Sequence, residues 1–126
     1  MAIVGLGTDV VEIERINKLV AGSSLKLAKR VLTASELEQF QSVNQPARYL
    51  AKRFAAKEAA AKALGTGIGR GVSFQHIEIR NDDYGAPHVY FSQGAAQRLA
   101  VLKGRFAHVT IADELHYAVA TVILES

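Results

Sequence analysis

The chain has 126 residues and a formal net charge of +3, with 49% hydrophobic and 21% charged residues and no cysteine. Such a composition excludes wholesale disorder, and the length suits one domain around a single core. Without cysteine there is no disulfide framework, no thiolate metal ligand and no cysteine nucleophile, so any metal must be held by oxygen or imidazole. No segment approaches the roughly 18–20 uninterrupted apolar residues of a membrane span. The opening MAIVGLGTDVVEIERI lacks the basic start of a signal peptide and meets Asp9 after a short apolar run, so a soluble cytoplasmic protein is expected. The mild positive charge permits an acidic macromolecule or a phosphorylated ligand without choosing between them.

In chain order, Ala2–Leu6 reads as a buried strand in which Gly5 and Gly7 invite close backbone approach. After Asp9 the period becomes helical, with Val10, Ile13, Ile16 and Val20 on one stripe. Ser23–Lys29 continues in helical composition. Thr33-Ala34-Ser35-Glu36 has capping-box spacing and opens a short helix to about Phe40. Pro46 suits the first turn of a long helix that runs to Leu64 and closes on Gly65. Phe74–Arg80 alternates as a strand, Asn81–Pro87 is a turn, and His88–Phe91 returns as its partner. Gly94–Leu102 is a small helix, and His108–Ala112 with Tyr117–Leu124 make a terminal hairpin. Early helices followed by mostly late strands predict an α+β fold with an antiparallel sheet packed against helices.

The long helix carries the pattern RFAAKEAAAKALGTG, residues 53–67. On a wheel with Phe54 at zero, Glu58 and Lys62 fall near about 40° and 80°, and Lys57 and Arg53 near about 300° and 260°. Alanines fill the remaining arc, so that side admits a close neighbour while the other carries one carboxylate flanked by cations. Glu58 and Lys62 also satisfy an ordinary surface i,i+4 pair, so helix patterning alone does not select a site. Four glycines crowd Gly65–Gly71, and Lys62 sits one turn before them, an arrangement able to bring backbone N–H groups and an ammonium to one phosphate. Asp9 reads either as an N-cap supported by Glu12 or as a hard-oxygen ligand fixed where a strand meets a helix. Together with Glu58 it could hold Mg²⁺, which takes one or two carboxylates and completes its shell with waters and phosphates.

These segments resemble the 4′-phosphopantetheinyl transferases. GTDVVEIERI at 7–16 and RFAAKEAAAKALGTGI at 53–68 look like that family's two signature segments, in its small bacterial holo-[acyl-carrier-protein] synthase type. NDDYGAP at 81–87, HVTIADE at 108–114 and the final hairpin extend the likeness over nearly the whole chain. The resemblance implies transfer of the 4′-phosphopantetheine group of coenzyme A to a serine of apo-acyl carrier protein, releasing adenosine 3′,5′-bisphosphate, in fatty acid biosynthesis. It implies Mg²⁺ on Asp9 and Glu58, with Lys62 near the phosphates and Gly65 and Thr66 in the coenzyme-A loop. Arg53, Pro87, His108 and Thr110 are expected at the nucleotide site from a neighbouring subunit, in a homotrimer with sites at its interfaces. Arg15 is expected to meet the acidic carrier protein; the basic residues from Lys18 to Lys29 do not align with further contacts. Glu58 is the expected acceptor of the serine proton, directly or through a bound water. Two other readings stay open: a basic RNA-binding module, disfavoured by dispersed cations and no paired exposed aromatics on the strands, and a coenzyme-A binder that has lost the reaction.

Overall fold

A computed structural model describes residues 1–21 and 25–126. Strand β1 (Ile3–Glu12) leads into helices α1 (Ile13–Ala21), α2 (Lys26–Val31), α3 (Ala34–Phe40) and the long α4 (Pro46–Ala63). A 3₁₀ turn (Phe74–His76) precedes β2 (Ile77–Asn81) and β3 (Pro87–Phe91), and α5 (Gln93–Val101) precedes β4 (Phe106–Asp113) and β5 (Tyr117–Glu125). The fold is α+β. One antiparallel sheet has the order β1-β5-β4 and a second pairs β2 with β3.

Several expected boundaries shift. The first strand does not stop at Leu6: it pairs with β5 out to Glu12, and Asp9 stands opposite Ala120. Asp9 is therefore a strand residue and not an N-cap, because the ladder to β5 supplies backbone partners that local capping would otherwise have to provide. Phe74–His76 forms a 3₁₀ turn closed by Ser73 and His76, so the second strand begins only at Ile77. Of the helical composition expected over Ser23–Lys29, Ser23 and Ser24 lie outside the described residues and the helix itself spans Lys26–Val31.

Other expectations hold in atomic detail. Thr33 Oγ accepts from Glu36 N while Glu36 Oε1 accepts from Thr33 N, a complete capping box. Pro46 sits in the first turn of α4. At its other end Gly65, at φ 80°, and Thr66 donate their N–H groups back to Lys62 O and Ala61 O, the paired bonds of a Schellman cap.

Helix α4 lies on one face of the three-stranded sheet, across β1 and β5. Ala55, Ala56, Ala59, Ala60 and Ala61 are wholly buried, as are Ala118, Val122 and Leu124 of β5. The approach is close because β1 meets the helix with glycines. A Cβ at Gly5 would lie 2.1 Å from Ala63 O, and one at Gly7 would lie 2.1 Å from Ala59 O and 2.6 Å from Ala63 N. Helix backbone thus rests on strand backbone, and alanine, the strongest helix former, fills the seam without side-chain entropy loss.

The expected single charged side of α4 is divided in two. Lys57 is 0% exposed and bonds Glu36 Oε1 at 2.6 Å, Val31 O at 2.7 Å and Phe74 O at 3.2 Å. Glu36, itself 1% exposed, also accepts from Ile79 N at 2.8 Å. Burial pushes the Lys57 ammonium pKa down, while the Glu36 carboxylate beside it pulls the other way. The pair is structural, and removal of one partner from such a buried pair typically costs about 3–5 kcal/mol. Arg53 is buried beside it, its guanidinium 4.7 Å from the Tyr49 ring centroid and its Nε 3.7 Å from Glu36 Oε2.

Gly7→Ala should destabilise the protein by roughly 1–3 kcal/mol or more, the range for forcing extra volume into a packed core, read as a lower urea midpoint at unchanged slope. A midpoint equal to wild type would mean that the strand–helix contact is not closed as described.

Candidate functional site

The alternation of β1 places Gly5, Gly7, Asp9 and Val11 on the side that faces α4, since their partners on β5 are Leu124, Val122, Ala120 and Ala118. Asp9 is thereby carried to the helix. Lys62 Nζ donates to Asp9 Oδ1 at 3.0 Å and to Thr8 O at 3.0 Å. One turn back on α4, Glu58 is half-buried. Its pKa is raised, first by burial and second by the negative charge of Asp9, against the lowering effects of Lys62 and Arg30. The strand and the long helix therefore bring Asp9, Glu58 and Lys62 together as two acids and one cation.

Glu58 opens into a cleft of about 520 Å³ between α1, α2 and α4, lined by apolar Leu27, Phe54, Ile68 and Phe74 and by the cations Arg15 and Arg30. Arg15 is exposed on α1, where it was expected to face a partner. Arg30, in the last turn of α2, was not singled out from the sequence. It lies 6.0 Å from the Phe74 ring centroid, and nothing in its local pattern distinguishes it from other surface cations.

The glycine loop differs from the expected phosphate cradle. Gly65 and Thr66 lie directly after the helix, but their N–H groups, with those of Gly67 and Gly69, are taken by the carbonyls of Lys62, Ala61, Ala61 and Val72. The glycines serve backbone shape instead: Gly67, Gly69 and Gly71 have φ of 64°, 125° and 87°. Arg98 of α5, also unremarked in the sequence, braces the turn through Leu64 O at 2.8 Å. Because the loop follows a helix C-terminus, the macrodipole there is negative, and Lys62 and Arg98 are the cations beside it.

The remaining predicted residues stand elsewhere. His108 and Thr110 of β4 pair with Ile123 and Thr121 of β5, on the sheet face opposite α4. His108 Nε2 lies 3.1 Å from Glu125 Oε1. Pro87 begins β3 opposite Asn81, and Arg53 is held in the buried Glu36 cluster. None of the four joins Asp9 and Glu58 within one subunit.

Asp9 and Glu58 fit a hard divalent cation. Both offer carboxylate oxygens, and their mutual repulsion is what a shared cation relieves. Among the described residues no group of three or more His, Cys, Asp and Glu could hold a metal, so a shell built on this pair would be completed by water and substrate oxygens.

Asp9, Glu58 and Lys62 thus stand together on an α+β scaffold, with Glu58 opening on the cleft. Residues 5–120 match the model of the 4′-phosphopantetheinyl transferase superfamily, and the chain belongs to that family. It is 71% identical over 126 residues, covering 100% of this chain and 99% of the other, to a holo-[acyl-carrier-protein] synthase of Shewanella sp. (strain MR-7). The crystal structure of the holo-[acyl-carrier-protein] synthase of Neisseria meningitidis superposes with a TM-score of 0.92 at 39% identity, over 99% of this chain and 100% of that one. A second, the Bacillus anthracis synthase in complex with CoA (3′,5′-ADP), matches with a TM-score of 0.84 at 40% identity, over 98% of this chain and 97% of that one.

Asp9→Asn removes the charge that raises Glu58. In metal-free protein the Glu58 carboxyl should then titrate at lower pH than in wild type, as read by ¹³C NMR of the side chain. An unchanged midpoint would mean that the two acids are not electrostatically coupled.

Proposed function

We propose that Asp9, Glu58 and Lys62 form the active site of a holo-[acyl-carrier-protein] synthase, working on coenzyme A and apo-acyl carrier protein within one transferase domain spanning 1–126. The enzyme moves the 4′-phosphopantetheine arm of coenzyme A to a serine hydroxyl of the carrier, and the single observation that carries this siting is the convergence of Asp9 and Lys62 at 3.0 Å beside Glu58.

In the reaction the serine oxygen forms a bond to the phosphorus that bears the pantetheine arm. The bond from that phosphorus to the bridging oxygen breaks, and adenosine 3′,5′-bisphosphate leaves with the bonding electrons. Asp9 and Glu58 would hold Mg²⁺, which when bound supplies positive charge to the pyrophosphate oxygens. Lys62 adds a cation on the leaving side, where the negative end of α4 would otherwise disfavour charge. Glu58 takes the serine proton, directly or through a water. Gly65 and Thr66 give the loop surface against which coenzyme A rests, and Arg15 meets the acidic carrier at the cleft, where charge complementarity speeds encounter. Among the described residues no helix is long and apolar enough to cross a membrane, in keeping with a cytoplasmic enzyme.

The assembly proposed is a homotrimer. The sheet face opposite α4 carries Leu6, Val10, Phe106 and Val119, all exposed in the isolated chain, with Val10 at 60%. An apolar face of this kind is what a second copy of the chain covers. His108 and Thr110 lie on that same face, so a neighbouring subunit packed there is the one whose nucleotide site they can reach; Pro87, at the start of β3, and Arg53, which meets a separate pocket beside Asn81, are proposed as further contributors from off that face.

The test is mass spectrometry of apo-carrier protein incubated with enzyme, coenzyme A and Mg²⁺. A mass gain equal to the arm, abolished by chelation, is expected. Glu58→Gln should lower turnover by about 10²-fold or more, within the range for loss of a positioned acid–base group, with far less effect on coenzyme-A affinity. Equal losses in both would remove Glu58 as the proton acceptor. Val10→Glu, which places a charge on the apolar face, should shift the sedimenting species from trimer towards monomer and lower activity with it. A monomeric wild type would overturn the shared-site arrangement.

A further inference from the structure

Helix α2 has little to hold it by itself. It spans six residues, and no side chain caps its N-terminus. A single isolated helix of that length does not persist in water, so its position is set by what bonds to it. Yet α2 and the 3₁₀ turn supply Leu27, Arg30 and Phe74, the wall of the cleft opposite Glu58. Two side chains from outside α2 bind its C-terminal carbonyls. Lys57 Nζ donates to Val31 O at 2.7 Å and, from the same ammonium, to Phe74 O at 3.2 Å, tying the two pieces of that wall together. Gln75 Nε2 donates to Leu32 O at 2.7 Å, with Lys29 O at 3.2 Å and Arg30 O at 3.3 Å also in reach. Lys57 neighbours Glu58 in sequence, about 100° away on the helix, so one turn of α4 presents the acid to the cleft and anchors the facing wall.

We propose that Lys57 and Gln75 are positioning residues for the transfer: they clamp the end of α2 and the 3₁₀ turn, and so fix the wall against which the acceptor protein seats beside Glu58. This rests on the reading of the cleft as the entry of the carrier serine. The bonds of Lys57 and Gln75 go to Glu36, to α2 and its C-cap, and to the 3₁₀ turn, not to Asp9 or Glu58, so the clamp is expected to bear on the acceptor half of the reaction. Loss of orientation between reacting groups is expensive even for small displacements, because a shift of about 1 Å can cost on the order of 100-fold in rate.

The experiment measures steady-state kinetics of wild type, Gln75→Ala and Lys57→Met, titrating carrier and coenzyme A separately, with coenzyme-A binding by calorimetry and thermal unfolding alongside. Gln75→Ala alters an exposed side chain and leaves the buried Lys57–Glu36 pair intact. It should lower kcat/KM for the carrier by about tenfold while the coenzyme-A dissociation constant stays within about twofold of wild type. Lys57→Met should show the same split more strongly; if it does not fold, Gln75→Ala decides alone. A Gln75→Ala enzyme with wild-type carrier kinetics overturns the clamp, as does an equal loss of carrier and coenzyme-A affinity. A purely structural role would lower the unfolding temperature without this split. Wild-type turnover in the same assay separates the two ideas: the clamp fails alone when wild type transfers the arm and Gln75→Ala matches it, and both fail when wild type transfers nothing.

Discussion

Everything at this site depends on a strand and a helix meeting backbone to backbone. Gly5 and Gly7 leave no room for a Cβ against Ala59 and Ala63, and this absence brings Asp9, two residues further along the same face, to Lys62 and Glu58. Side-chain packing between bulkier residues would hold the elements further apart, and the carboxylates with them, since close-packed interiors do not leave compensating voids. The contact also fixes the separation rigidly. Two regular elements in van der Waals contact along their backbones cannot easily slide, which suits the proposed sharing of one cation by two acids.

The charges of α4 show how one helix serves two purposes. Lys57 and Glu58 are adjacent in sequence, yet one is wholly buried on Glu36 and the other opens on the cleft. Burying an ammonium is costly unless it is paired and fully hydrogen-bonded, and here its three protons have three acceptors. Arg53, stacked on Tyr49, shares the same acid at longer range. The helix is therefore anchored on one side by charge and on the other by alanine, with Glu58 and Lys62 on the strip between.

Signals confined to a few neighbouring residues were legible: the Thr33–Glu36 capping box, Pro46 at the helix start, Gly65 at its end and the close-approach glycines of β1 all stand as read. What could not be read depends on partners far along the chain. The Asp9–Glu12 spacing fits a cap, but pairing with β5, more than 100 residues away, extends the strand through it. The wheel placed Lys57 among the site cations because nothing local reveals that Glu36 is buried against it. The loop glycines suggested free amides, whereas the cap closing α4 takes those of Gly65 and Gly67, and Val72 O takes that of Gly69. Type and pattern made Asp9, Glu58 and Lys62 candidates, and the family resemblance chose them. Their convergence required the fold.

The spent amides bear on how the phosphates can be held. A helix N-terminus binds anions through unpaired N–H groups, but this loop follows a C-terminus, and four of its N–H groups are already bonded. Negative charge arriving here meets the unfavourable end of the dipole and two carboxylates, with Lys62 already paired to Asp9, Arg98 bracing the turn through Leu64 O, and Arg15 and Arg30 on the cleft. Such a donor set is short of positive charge for a pyrophosphate with a further phosphate attached. Under the siting proposed above, a divalent cation on Asp9 and Glu58 would make up part of that shortfall. His108 and Thr110 are turned away on the open sheet face and add nothing to it within one subunit. In the proposed trimer, assembly would bring a neighbour's side chains to a site that a single subunit leaves without them.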